Sequence, residues 1–89
     1  MVQVTHIRMK GNGSGHDHIT DVRWYSPQSG ELGTSTLATM VTYIREKKRA
    51  YVCDGRRITE VGVVDASPPY LRTYADKVWS DNLLALPRF

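Results

Sequence analysis

The period of apolar and polar positions changes several times along the chain. Residues 2–9, Val-Gln-Val-Thr-His-Ile-Arg-Met, are rich in β-branched types and predict a strand. Residues 18–25 alternate, with Val22 and Trp24 on one side and Asp21 and Arg23 on the other, which predicts a half-buried strand. The glycine-rich stretch from Lys10 to Asp17 separates the two, so they are expected to pair as an antiparallel hairpin. Pro27, Gly30 and Gly33 mark residues 26–34 as loop.

A helix is expected over residues 35–48. Leu37, Met40, Val41 and Ile44 recur at helical spacing and build one apolar stripe, with Thr39, Thr42, Arg45 and Glu46 off it. Thr34 or Ser35 can cap its start, and Lys47 and Lys48 suit the negative end of its dipole. Ala50–Cys53 and Ile58–Asp65 then flank Asp54-Gly55-Arg56-Arg57, a turn in which Asp-Gly tolerates positive φ. Val52, Val61 and Val63 share the face placed under the helix; Tyr51, Cys53, Ile58 and Glu60 share the other. After Pro68-Pro69, residues Tyr70–Tyr74 predict a short edge strand. Ser80 or Asp81 can cap a last turn that carries Leu83, Leu84 and Leu86. The reading is an α+β domain spanning 1–89. An antiparallel sheet of four to five strands, in the order β-β-α-β-β-β, carries one helix on one face and ends in a C-terminal turn.

Composition agrees with one globular domain. At 89 residues the chain buries roughly 60–65% of its unfolded surface, enough for one core. One cysteine, Cys53, excludes an intrachain disulfide, and no apolar run suggests a signal peptide or a membrane span, so a cytoplasmic protein is expected. Twelve Lys and Arg against nine Asp and Glu give +3, a mild lean toward polyanions that an ordinary soluble domain also shows.

Three stretches, His18-Ile-Thr-Asp-Val-Arg-Trp24, Ala50-Tyr-Val-Cys-Asp-Gly55 and Val61-Gly-Val-Val-Asp65, form a pattern with the run Pro69-Tyr-Leu-Arg-Thr-Tyr-Ala-Asp76 and Asp81-Asn-Leu-Leu-Ala-Leu-Pro87. Together they resemble the family known as domain of unknown function 3892, found in bacteria and their phages. The C-terminal run is the most specific part. The resemblance implies a small stand-alone domain and assigns no activity and no functional residues. Other members tend to carry a glycine-containing turn after the helix, where this chain has Lys47-Lys48-Arg49.

Four groups carry candidate chemistry. The first is His16-Asp17-His18: on a strand, both imidazoles would lie on one side about 7 Å apart, with His6 of the neighbouring strand as a third ligand. Solvated loop histidines are the plainer reading, and no metal or other cofactor is expected. The second is Gly11-x-Gly13-x-Gly15, whose amides could cradle phosphate. A strand follows it where a dinucleotide site needs a helix, so a hairpin loop is the plainer reading. The third is the basic edge of Lys47, Lys48, Arg49, Arg56 and Arg57, with Arg45 near and Tyr51 between as a stacking surface for a base. Its plainer reading is a solvated helix end and turn. The fourth is Arg72, Thr73, Asp76 and Asn82, with Asp81, which read either as the lining of a ligand pocket or as the fastening of the C-terminal segment.

Cys53 has no activating partner in the sequence, and no catalytic triad or carboxylate pair is recognisable, so no enzyme is expected. The expectation is a binding module for nucleic acid or nucleotide on the basic edge. The alternative is a protein-interaction domain using a sheet edge or a Tyr/Trp surface, for instance a phage product acting on a host protein. A third reading is a small-molecule or metal-binding domain built on the His16/His18 loop. The sequence carries no signal for the oligomeric state.

Overall fold

The structure, a computed structural model, describes residues 1–11, 15–55, 57–75, 78–80 and 82–89. Seven strands form one sheet: β1 (Val2–Met9), β2 (Ile19–Ser26), β3 (Glu31–Thr36), β4 (Ala50–Asp54), β5 (Arg57–Val64), β6 (Tyr70–Ala75) and β7 (Val78–Ser80). Among the described residues there are also one helix, α1 (Leu37–Arg45), and two 3₁₀ turns, His16–His18 and Asn82–Ala85. The strands lie in the order β3-β2-β1-β4-β5-β6-β7. The protein is thus α+β with one helix, as expected. The strands are more numerous than expected, and β1 pairs with β4 in parallel while the other neighbours are antiparallel.

That parallel seam is short. Only Val2 with Ala50 and Gln3 with Tyr51 are in register. Further along β1 the C-terminal tail takes over the edge: the Ile7 amide donates to Pro87 O at 3.0 Å, and the Phe89 amide donates to Ile7 O at 3.2 Å. The sheet therefore has two arms, β3-β2-β1 and β4-β5-β6-β7. Helix α1 contacts β2 and β3 of one arm and β5 and β6 of the other, and the Asn82–Ala85 turn lies against β4 and β6. The core gathers between these parts. Val4, Ile7, Ile19 and Val22 come from one arm, Val52, Val61 and Leu71 from the other, Met40 and Val41 from the helix, and Leu83 from the turn. Each such side chain contributes about 1.5–3 kcal/mol by leaving water.

The helix stripe is placed as its spacing predicts. Met40 and Val41 are buried, while Leu37 and Ile44 are half-buried against the core. Its boundaries are tighter than 35–48, and its cap is Thr36, whose Oγ1 accepts from the Thr39 amide at 3.2 Å. Thr34 and Ser35 do not cap it because they are paired with Arg23 and Val22 in the sheet. Residues 26–34 are accordingly not all loop. The chain turns at 27–30, where Gly30 has φ +75 and its amide donates to Ser26 O at 2.8 Å, then returns as β3. This strand has no apolar alternation because its inward positions are Gly33 and Ser35. Gly33 lies under the Trp24 ring, and Ser35 Oγ accepts from Trp24 Nε1 at 3.0 Å.

Strand β6 is not an edge strand, since β7 pairs with it through Thr73–Ser80, Tyr74–Trp79 and Ala75–Val78. Thr59 and Thr73 are buried polar groups on the core side of β5 and β6. Asn82 binds both: its amide donates to Thr73 Oγ1 at 3.2 Å and its Nδ2 to Thr59 Oγ1 at 3.0 Å. These bonds hold the turn that delivers Leu83 to the core, where it is fully buried. Of the two proposed caps, Ser80 ends β7 and Asp81 lies outside the described residues.

Candidate nucleic-acid interface

Directly paired residues of adjacent strands project from the same face of a sheet. On the outer face, one chain of such pairs crosses all seven strands. It runs Leu32, Tyr25, Gln3, Tyr51, Glu60, Tyr74, Trp79, from β3 to β7. Four of the seven are aromatic. Tyr25 and Tyr51 are half-buried, whereas Tyr74 and Trp79 are exposed at the far end of the row. The inward neighbours explain why they face out: Trp24, Val52 and Thr73 take the core positions beside Tyr25, Tyr51 and Tyr74. Strand spacing of about 4.8 Å puts Tyr51 roughly 10 Å from Tyr25 on one side and from Tyr74 on the other. Tyr74 and Trp79 meet edge-to-face with ring centroids 5.1 Å apart.

The Trp79 indole reaches the Gly62 position of β5, where there is no side chain to displace it. A Cβ on Gly62 would stand 3.2 Å from the indole. Two concavities open on this face. One, of about 170 Å³, is bounded by Arg49, Tyr51, Ile58 and Glu60; the other, of about 610 Å³, is bounded by Glu60, Gly62, Tyr74 and Trp79 and also by Ile44 of the helix and by Val61 and Val63, so it is not confined to the outer face. Arginines flank the row. Arg49 precedes Tyr51, and its Nε lies 3.8 Å from Glu60 Oε1 with both side chains more than half exposed. Arg72 on β6 is paired with Gly62 on β5, and Arg23 on β2 stands two residues from Tyr25. The guanidinium carbons of Arg23 and Arg8 both lie 4.5 Å from the Phe89 ring centroid, which steadies them by cation–π attraction. His6 meets the same ring edge-on at 6.4 Å.

The basic edge read from sequence is only partly assembled. Arg49 and Tyr51 share the outer face and one concavity. Lys47, Lys48 and Arg49 are all exposed just past the helix, and Lys48 Nζ stands 5.5 Å from the Tyr43 ring, on the helix side. Arg57 is exposed at the hairpin tip, but the pleat gives it the side of Thr59 and Val61, opposite Tyr51. Arg56 lies outside the described residues. The helix end and the hairpin tip therefore do not present Arg49 and Arg57 on one surface. Strand alternation decides this, because the two residues fall on opposite parity across the hairpin.

The fourth predicted group, Arg72, Thr73, Asp76 and Asn82, is likewise divided. Thr73 and Asn82 point into the protein and bind the C-terminal turn, while Arg72 belongs to the outer face. Asp76 lies outside the described residues. The histidines differ from the strand geometry expected of them. His16 and His18 sit on a single 3₁₀ turn, where His16 stacks near Tyr70 at 6.5 Å and His18 Nδ1 lies 3.3 Å from Asp17 Oδ1. His6 Nδ1 is 2.9 Å from Thr5 Oγ1, on the strand beyond. Among the described residues, no three His, Cys, Asp or Glu side chains gather as metal ligands. Of the glycine loop, Gly11 has φ +51, and Gly13 lies outside the described residues. Cys53 is exposed on the outer face. Among the described residues no helix is long and apolar enough to cross a membrane.

Sequence reasoning placed Tyr51 on the outer face but missed the row. The available signal was aromatic residues at the polar parity of strands, at positions 25, 51 and 74. What joined them was the order of strands, including a parallel seam and a β7 that pattern alone did not reveal.

Comparison with curated proteins returned no match, and comparison with solved structures returned none. A family model does match residues 3–87, and its description is protein of unknown function, DUF3892. The match spans nearly the whole chain, so the chain belongs to the DUF3892 family.

Proposed function

We propose that the protein is a non-enzymatic binding module that takes single-stranded nucleic acid on the outer face of its sheet. The observation that carries this is the cross-strand row of Tyr25, Tyr51, Tyr74 and Trp79 with Arg23, Arg49 and Arg72 beside it. Aromatic rings on an open sheet are platforms for unstacked bases, and arginines alongside them neutralise phosphates. A duplex hides its base faces, so this surface suits a single strand better than the double-stranded DNA a basic edge alone would suit. A cytosolic site of action fits the single, exposed cysteine.

The test is a fluorescence titration with short labelled single strands, at two salt concentrations. Binding is expected at about 50 mM salt, with quenching of Trp79. If the three arginines each meet a phosphate, the log–log salt slope is about −2. Absence of binding at low salt overturns the reading. A second reading, a protein-binding face, is favoured by Leu32 and Ile58, which are 72% and 68% exposed on the same surface. Tyr, Trp and Arg also dominate protein hot spots. That reading expects a salt-insensitive partner and no affinity for oligonucleotides.

A further inference from the structure

Glu60 is the anomaly of the outer face. A carboxylate repels phosphate, yet this one stands in the aromatic row, directly paired with Tyr51 on one side and Tyr74 on the other. It also borders both concavities, the one against Tyr51 and the one against Tyr74 and Trp79. A base stacked on the Tyr51 ring would turn its edge toward Glu60 and leave its phosphate to the flanking arginines.

We propose that Glu60 makes this face selective for guanine. The inference rests on the single-strand reading above and adds the base. A carboxylate offers acceptors only. Its two oxygens match two adjacent donors, and the Watson–Crick edge of guanine presents such a pair, N1–H beside the N2 amino group. Cytosine and adenine offer one amino group each on that edge, beside a ring nitrogen that accepts. Uracil offers N3–H between two carbonyl oxygens, both of which repel a carboxylate. Arg49 lies 3.8 Å from the Glu60 carboxylate, near enough to hold it against the row without covering it, since the Glu60 side chain is 55% exposed.

The experiment measures affinity for oligonucleotides of uridine alone and of uridine alternating with guanosine, inosine, adenosine or cytidine. The guanosine strand is expected to bind about tenfold more tightly than the uridine strand, the order of discrimination a bidentate pair supplies. Inosine, which keeps N1–H and lacks the amino group, falls between them. Glu60→Gln, an exposed and isosteric change, is expected to bring the guanosine strand down to the uridine level, with uridine affinity kept or raised. Equal affinity for all five strands overturns the selectivity and leaves the interface standing, as does a guanosine preference that survives in E60Q. Failure of every strand to bind overturns the interface itself and the selectivity with it.

Discussion

The indole of Trp24 occupies the space that a side chain on Gly33 would need. The two residues are directly paired between β2 and β3, and a Cβ on Gly33 would lie 2.2 Å from Trp24 Cζ2. Strand β3 is accepted into the sheet because this position is bare. Gly33→Ala is therefore expected to displace the ring, stretch its hydrogen bond to Ser35 and destabilise the protein by about 1–3 kcal/mol, as overpacking does. Thr34→Ala, at the exposed neighbour, should stay within about 0.5 kcal/mol of wild type. Denaturant unfolding of the two variants makes the comparison, and equal stabilities would show that the ring is free to move aside.

Asn82 ties the last turn to two buried threonines, Thr59 and Thr73. Asn82→Ala removes the Nδ2 donor to Thr59 and leaves the backbone bond to Thr73 in place. A loss of about 1–3 kcal/mol is expected, because the Thr59 hydroxyl loses that donor in a buried setting. Amide exchange should accelerate first in the turn and at Ile7, where the tail pairs. Unchanged exchange there would separate the turn from the tail.

Lys47 has φ +66 immediately after the helix, in the left-handed region that glycine enters most easily. Its amide donates to Ile44 O at 3.0 Å, which closes the helix through that conformation. Lys47→Gly is expected to raise stability by about 1 kcal/mol, the approximate penalty of a side chain in this region. A lower melting temperature in the variant would mean that the lysine makes an offsetting contact.

Parity on the β4–β5 hairpin separates the arginines into two classes. Arg49→Glu is expected to weaken single-strand binding and flatten its salt slope by about 0.7. Arg57→Glu, on the opposite face, should leave the slope nearly unchanged. Tyr51→Ala should lower affinity by about 1–3 kcal/mol, the range for one stacked base, whereas Tyr51→Phe retains it. Anisotropy titrations at two salt concentrations give both quantities, and equal effects of the two arginine reversals would place the strand on the hairpin tip instead.

The helix was legible because apolar residues at helical spacing have one way to be buried together, and Met40 and Val41 are buried accordingly. The hairpin of β4 and β5 was legible for the same kind of reason: alternation puts Val52 and Val61 on one side and Tyr51 and Glu60 on the other, whatever lies around them. Alternation of this kind is local, and local rules survive folding.

Strand β3 was not legible, because its inward positions are filled by a glycine and a serine whose value depends on Trp24, nine residues and more away in sequence. The parallel seam of Val2 with Ala50 and Gln3 with Tyr51 joins segments that no turn links, so no pattern in either segment announces it. The aromatic row exists only through that seam. Each ring's face was set by the alternation of its own strand, but which rings became neighbours was decided by the order in which the sheet packs its strands around one core.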